Sequence, residues 1–143
     1  MDANNPVVKL CADGMMAEGQ GRGDVARALF ERAWAARTDA FDACVAAHYL
    51  ARHQGSPEAT LNWNREALSR AEAAGDDRVR GFFPSLYLNL GLSYEDVGDL
   101  DKARRTYDLA AETVGNLDDD GYGAMIRRGI AAARQRTSPP EPA

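Results

Sequence analysis

One stretch of the sequence carries oxygen ligands at a spacing that binds calcium in other proteins. The first, third, fifth and sixth places of an EF-hand loop are matched by Asn116, Asp118, Asp120 and Gly121. The twelfth place, where such a loop needs a bidentate glutamate, is Arg127, and a cation there opposes calcium binding. We therefore expect no calcium site and interpret the aspartates as acidic residues ahead of a helix N-terminus.

The tripeptide Arg22-Gly23-Asp24 resembles the integrin-binding motif of adhesion proteins. It follows Gly19 and Gly21 and leads into the helix-forming run "VARALFERA". We interpret it as the turn into a helix, with Asp24 in the first helical turn or at the cap, where a carboxylate complements the helix dipole. Integrin binding is not expected.

The histidines and cysteines do not form a catalytic or metal-binding pattern. His48 and His53, the only histidines, lie five residues apart and so face different sides of a helix. We expect a hydrogen-bonded core residue at His48 and a solvent-exposed residue at His53. Cys11 and Cys44 lack the paired spacing of a zinc site, and we interpret both as buried in a reducing compartment. Without a nucleophile elbow, phosphate loop or H-E-x-x-H motif, we expect no enzyme activity, metal or cofactor.

The composition is that of a globular protein of one domain. The 143 residues are 45% apolar and 27% charged, and the net charge of -5 disfavours nucleic acid as a partner. No segment approaches the roughly 20 apolar residues of a membrane span, and the N-terminal stretch lacks a signal-peptide pattern. We therefore expect a cytoplasmic protein that binds neither nucleic acid nor a membrane. The abundance of alanine and of arginine over lysine is typical of bacteria with GC-rich DNA.

Helices must position these residues, because helix-forming residue types dominate the chain. No run of β-branched residues is long enough for a buried strand. Glycine-containing breaks predict about seven helices, and they lie at residues 19–23, 55–57, 75–76, 98–99 and 115–121. Pro6 and Pro57 fit the first turns of helices, Pro57 with Ser56 as the N-cap. Pro84 either begins a helix or kinks one that starts near Asp77.

The same spacing of small and aromatic residues occurs in two parts of the chain. Steps of 7, 5, 4 and 3 residues separate the members of both sets, Gly14, Gly21, Ala26, Phe30, Ala33 and Gly91, Gly98, Ala103, Tyr107, Ala110. A third copy begins at Cys44 and keeps Gly55 and Ala67 in register, but it has His48 at the first glycine place and Trp63 followed by Asn64 at the aromatic place. We expect the small residues where helices approach closely.

This pattern resembles the tetratricopeptide-repeat family, in which antiparallel helix pairs stack into a solenoid. The resemblance spans about residues 7 to 114 and implies an all-α, right-handed α-solenoid of three helical hairpins at about 7–38, 41–74 and 77–114. A C-terminal capping helix at about 119–136 would turn an apolar stripe inward, made of Tyr122, Met125, Ile126, Gly129, Ile130 and Ala133. We expect one domain over residues 1–136 and a disordered tail at 137–143.

The resemblance also implies a binding surface along the first helix of each repeat. Carried over to this sequence, its three stripes are Cys11, Met15, Glu18; Val45, Tyr49, Arg52; and Leu88, Leu92, Glu95. The members of each stripe lie at i, i+4 and i+7 and so share one helical face. We expect Tyr49 and Leu92 at the centre of the surface, outside the packing between hairpins.

These stripes favour a non-catalytic adaptor that binds another protein in an apolar concave groove. Cys11 and Met15 cannot make the charge-assisted bonds of a carboxylate clamp, whereas apolar residues suit an amphipathic helix or an extended apolar peptide. Two alternatives stay open. The chain is a regulatory sensor module for a peptide or small molecule, or a homo-oligomerisation module in which a second copy, as in a homodimer, covers the groove.

Overall fold

The computed structural model describes residues 4–139, and this part of the chain is entirely helical. Eight α-helices follow one another: α1 Pro6–Gly19, α2 Gly23–Ala35, α3 Ala40–Leu50, α4 Pro57–Ala74, α5 Asp77–Arg80, α6 Phe83–Asp96, α7 Leu100–Glu112 and α8 Gly121–Thr137. Short 3₁₀ turns lie at Ala51–His53 and Val114–Asn116. Residues 4–139 contain no strand, so the all-α prediction is confirmed. The helix beyond the predicted seven is α5, a single turn.

Two helices begin at the prolines that the sequence places in first turns. Pro6 opens α1 after Asn5, whose Oδ1 accepts a hydrogen bond from the Val7 N–H at 2.8 Å. At the start of α4, Ser56 Oγ accepts from the Ala59 N–H at 3.1 Å. Each side-chain oxygen pairs an N–H that has no partner within its helix, and the prolines sit where no N–H is needed. Both predicted starts are confirmed.

Pro84 begins a helix and does not kink one. The single turn α5 ends at Arg80, and α6 starts at Phe83 with Pro84 in its first turn. A proline there removes no helical hydrogen bond, because the first N–H groups of a helix have no partner within it.

The helices pack as sequential pairs within two compact units, Met1–Val79 and Arg80–Ala143. In the first unit, α1 packs against α2, α3 packs against α4, and α3 also contacts α1 and α2. In the second unit, α6 packs against α7, and α8 contacts both. The first unit therefore contains two hairpins, and the second contains one hairpin with a third helix added to it. One domain over residues 1–136 stays a prediction.

The repeated glycine and aromatic residues make the same contact in both units. A Cβ on Gly14 of α1 would lie 2.3 Å from Cε1 of Phe30 in α2. A Cβ on Gly91 of α6 would lie 2.4 Å from Cε1 of Tyr107 in α7. Both rings are fully buried, so neither has free space beside it. This confirms the expectation that the small residues mark close approaches between helices.

The turns of the two hairpins are also alike. Gly21 and Gly98 have φ angles of 73° and 86°, in the left-handed region that favours glycine. Helix α2 begins at Gly23 with Asp24 in its first turn, as the sequence predicts. Helix α7 begins after Asp99, whose Oδ1 accepts from the Lys102 N–H at 3.2 Å. The tripeptide Arg22-Gly23-Asp24 therefore forms the turn into a helix.

The divergent copy, α3 with α4, has polar residues where the other hairpins have glycine and an aromatic ring. Asn64 takes the aromatic place and is buried. His48 takes the glycine place, and its Nδ1 is buried with no hydrogen-bond partner among residues 4–139. The predicted hydrogen-bonded state is therefore wrong for this nitrogen. Burial, followed by the nearby charge of Arg52, lowers the pKa of His48 to about 4.

Helix α8 buries only part of the predicted apolar stripe. Ile126, Ile130 and Ala133 belong to the core of the second unit, but Tyr122 and Met125 are exposed. The prediction is wrong for these two, because Met125 lies about 100° around the helix from Ile126 and Tyr122 is in the first turn. Thr137, the first residue of the predicted tail, is instead the buried last residue of α8. Residues 140–143 of that tail lie outside the described residues.

Candidate partner-binding surface

The stripe on α1 runs from a buried thiol to a paired carboxylate. Cys11 is buried, Met15 is 40% exposed, and Glu18 is half-buried. One carboxylate oxygen of Glu18 lies 2.6 Å from Arg52 Nη2, and the other lies 2.7 Å from His53 Nε2. His53 is only 18% exposed, so the predicted solvent-exposed histidine is wrong. The His53 side chain points toward α1, where Glu18 lies within hydrogen-bond distance.

The stripe on α6 has the same order of burial. Leu88 is buried, Leu92 is 40% exposed, and Glu95 accepts hydrogen bonds from Arg136 at 2.6 and 3.1 Å. The Tyr107 hydroxyl also donates to Glu95. The hydrogen bond from Arg136 lowers the pKa of Glu95 more than partial burial raises it. Glu95 is thus a carboxylate at neutral pH, with its charge balanced by Arg136.

Met15 and Leu92 occupy equivalent places in the two hairpins. They are 77 residues apart (92 minus 15), the spacing that also relates Gly14 to Gly91 and Glu18 to Glu95. Both are 40% exposed, and each lies one helical turn from a glutamate that forms an ion pair with an arginine. Each unit therefore presents one large apolar side chain beside a neutralised ion pair.

The stripe on α3 and the turn after it belongs mainly to the packing of the first unit. Val45 is buried, and the ring of half-buried Tyr49 stacks on Phe30 with centroids 5.2 Å apart. The Arg52 guanidinium lies over the Tyr49 ring, 4.7 Å from its centroid. The expectation that Tyr49 lies outside the packing between hairpins is therefore wrong. Tyr49 thus packs against α2, and Arg52 contacts α1 through its ion pair with Glu18.

His53 in the first unit and Arg136 in the second pair with the stripe glutamates Glu18 and Glu95, but neither was among the predicted site residues. Arg136 is 41 residues from Glu95, so no helical spacing connects them. His53 lies in a 3₁₀ turn, where the helical period that assigned it to solvent does not apply. The one available signal was the excess of arginine, a residue suited to pairing with glutamate.

The stretch that resembles a calcium loop is held by an arginine. Asp120 caps α8, with its Oδ1 accepting from the Gly123 N–H at 2.7 Å. Arg127 Nη2 donates to the carbonyl oxygens of Val114 and Leu117, both at 3.3 Å. The carbonyl oxygens of this loop thus accept hydrogen bonds from the Arg127 guanidinium. Among residues 4–139, no group of three or more His, Cys, Asp and Glu side chains is placed to hold a metal ion.

The two cysteines are buried thiols in the first unit. Burial raises the pKa of both Cys11 and Cys44 to about 12, and nearby Arg52 offsets this only in part at Cys11. A thiol with so high a pKa is a poor nucleophile, because the thiolate is the reactive form. Both residues therefore act as small apolar side chains in the core.

No protein-family model matches the chain, and no curated protein matches it. The resemblance to tetratricopeptide repeats therefore stays a prediction from the spacing of residues in the sequence. None of the helices within residues 4–139 has both the length and the apolar character needed to cross a membrane.

Proposed function

We propose that this protein is a non-catalytic adaptor that binds another protein through two equivalent apolar patches, one around Met15 in the first unit and one around Leu92 in the second. In this proposal the three hairpins form a tetratricopeptide-like, right-handed α-solenoid, and α8 closes its end. The observation that carries the proposal is the equivalent exposure of these two side chains, both 40% exposed beside a glutamate–arginine pair. The proposal takes this equal exposure at equivalent places of two hairpins as the mark of a contact surface.

The charges beside Met15 and Leu92 indicate the chemistry of the partner. Glu18 is paired with Arg52, and Glu95 with Arg136, so neither unit offers a free charge at this place. A partner gains most from burying apolar area here, at roughly 25 cal/mol per Å². An amphipathic helix or an extended apolar peptide meets this requirement. Tyr49 contributes by supporting the surface, since its ring is already stacked on Phe30.

The experiment compares two pairs of substitutions that remove equally exposed apolar side chains. The test pair is Met15→Ser with Leu92→Ser, and the control pair is Val25→Ser with Leu109→Ser. Val25 and Leu109 are 38% and 43% exposed, but they lie on the second helix of each hairpin. A partner is first identified by affinity capture with the unchanged protein and mass spectrometry, and its affinity for each variant is then measured.

We expect the test pair to lower the affinity for the partner at least tenfold, roughly the effect of losing one well-packed anchor residue. The control pair should bind like the unchanged protein, and both variants should keep its helical circular-dichroism spectrum and melting temperature. Equal affinities of the test and control variants for the partner would refute the proposal that Met15 and Leu92 contact it. A change of the isolated protein from dimer to monomer in analytical ultracentrifugation, seen only for the test pair, would replace the adaptor with a homodimer.

A further inference from the structure

Helix α8 packs on the α6–α7 hairpin of the second unit as α3 packs on the α1–α2 hairpin of the first. Each of these two helices contacts both helices of its hairpin. An arginine at the C-terminal end of each one also pairs with the stripe glutamate of that hairpin, Arg52 with Glu18 and Arg136 with Glu95, both at 2.6 Å. The two arginines set the correspondence between α3 and α8, in which equivalent residues are 84 apart (136 minus 52). Helix α8 is thus equivalent to the first helix of a hairpin.

The glycine place marks the face that a first helix turns toward the second helix of its own hairpin. Gly14 and Gly91 at this place face aromatic rings of α2 and α7. Its counterpart in α3 is His48, so the correspondence assigns it to Ala132 in α8 (48 plus 84). Residues seven and four positions before this place and three positions after it share its face. On α8 they form what we call the outer face, which consists of Met125, Arg128, Ala132 and Gln135.

This face is covered on the other first helices and exposed on α8. On α1, α3 and α6 the residues at the same places are all buried or half-buried, and they are Val7, Leu10, Gly14, Ala17; Phe41, Cys44, His48, Ala51; and Pro84, Tyr87, Gly91, Tyr94. On α8 every residue of the outer face is exposed, and Met125 is 52% exposed. Within residues 4–139, no helix therefore covers the face of α8 that meets a second helix in the hairpins.

Ala132 limits the size of the side chain that can pack against the outer face. In the α1–α2 and α6–α7 hairpins, a Cβ at the glycine place would lie 2.3 and 2.4 Å from the Cε1 atom of the facing ring. Ala132 has such a Cβ, so an aromatic side chain in the same position would overlap it. Leucine ends at its Cδ atoms and lacks the colliding Cε1. A leucine facing Ala132 thus approximately conserves the volume of an aromatic ring facing glycine.

Arg128 gives the outer face a positive charge. Two other arginines of α8 pair with carboxylates, but Arg128 pairs with none among residues 4–139. A carboxylate on an occupant would supply a charge-assisted hydrogen bond. The same charge opposes a second copy of α8, because pairing across a two-fold axis would place the Arg128 side chains of both copies near its centre. The charge therefore favours an acidic helix of a different protein.

We propose that the outer face of α8 binds an amphipathic helix of another protein, antiparallel to α8, with a leucine against Ala132 and a glutamate paired with Arg128. In an antiparallel helix, the glutamate follows the leucine by one turn because Arg128 precedes Ala132 by one turn. A second leucine, two turns after the first, packs on Met125. The outer face shares no residue with the patches around Met15 and Leu92, so this proposal does not depend on the proposed function.

Fluorescence anisotropy of a dye-labelled synthetic peptide tests the site. The full protein is titrated into Ser-Ala-Ala-Ala-Gln-Lys-Leu-Ala-Lys-Gln-Glu-Ala-Gln-Leu-Ala-Lys-Gln-Ala, which carries leucine, glutamate and leucine at this spacing among helix-forming residues. We expect saturable binding. A matched peptide with glutamine in place of the glutamate should bind about three- to tenfold more weakly, because it loses one charge-assisted contact.

Substitutions in α8 assign the contacts to residues. Arg128→Gln should weaken binding of the glutamate peptide by about three- to tenfold and leave that of the glutamine peptide unchanged. The control Arg105→Gln, at an exposed arginine of α7, should alter neither affinity. Ala132→Arg should weaken both peptides by about tenfold or more, because its long side chain occupies the place of the leucine. The control Ala73→Arg, at an exposed alanine of α4, should not. Helical circular dichroism establishes that each variant is folded.

Three results would overturn the proposal. The first is no saturable binding of the glutamate peptide up to about 1 mM, a limit that includes weak peptide binding. The second is equal affinity of the unchanged protein for the two peptides, which would exclude the pairing with Arg128. The third is an isolated protein that sediments as a dimer and becomes a monomer on Ala132→Arg, because a second copy would then occupy the outer face.

Discussion

Substituting Gly91 by alanine tests whether the glycine–aromatic contact determines the stability of the hairpin. Alanine in a helix is normally more favourable than glycine, by about 1 kcal/mol. At Gly91, however, the added Cβ would lie 2.4 Å from Tyr107 Cε1. Ordinary van der Waals contact begins at 3.4 Å, so the ring must retreat by 1.0 Å (3.4 minus 2.4). Tyr107 has no exposed surface, and its hydroxyl is held by Glu95.

The expected net effect of Gly91→Ala is a loss of about 1–2 kcal/mol in the free energy of unfolding. Overpacking a close-packed site costs about 1–3 kcal/mol, and the gain in helix propensity offsets about 1 kcal/mol of it. Gly14→Ala should lose a similar amount, since its Cβ would lie 2.3 Å from Phe30 Cε1. In a Phe30→Leu background that loss should shrink, because the ring that collides is absent.

Urea denaturation followed by circular dichroism measures these differences. The matched control is Gly19→Ala, in the last turn of α1, where an added Cβ meets no atom within 4 Å. We expect this control to be neutral or more stable than the unchanged protein. If Gly91→Ala were stabilised as much as Gly19→Ala, the close approach of α6 and α7 at Tyr107 would be refuted.

Two further predictions concern buried titratable groups. The pKa of His48 is about 4 in the folded protein, below the 6.5 of a free histidine, so the unfolded chain binds the extra proton between these pH values. The free energy of unfolding should be highest above pH 6.5 and fall by up to about 3 kcal/mol as the pH is lowered toward 4. In urea titrations His48→Ala should flatten this pH dependence, and an unchanged pH dependence would exclude His48 as its source. Cys11 and Cys44, each with a pKa of about 12, should react with a disulfide reagent at pH 8 only after denaturation, and rapid reaction of the folded protein would contradict their burial.

The repeat pattern predicted the local structure of the hairpins well. As predicted, Ser56 caps a helix, and Gly14 and Gly91 lie where helices approach closely. Pro84 begins a helix, which is one of the two alternatives that the sequence left open, and the cap at Asn5 was not predicted. These features depend on residues close together in the sequence or on a spacing that repeats, so periodicity and capping preferences are sufficient to find them. The same reasoning also correctly identified Arg22-Gly23-Asp24 as a helix start, through its position relative to Gly21.

Tertiary packing decided which residues of the predicted surface are exposed and what they contact. The helical period places Cys11, Met15 and Glu18 on one face, but only the neighbouring helices bury the first, leave the second open and pair the third. The pairing of Glu95 with Arg136 crosses 41 residues, and no local pattern encodes it. Tyr49 is part of the packing between helices because its ring stacks on Phe30 of α2. Sequence spacing thus determined the faces of the helices, whereas burial and ion pairing depend on which faces meet after the chain folds.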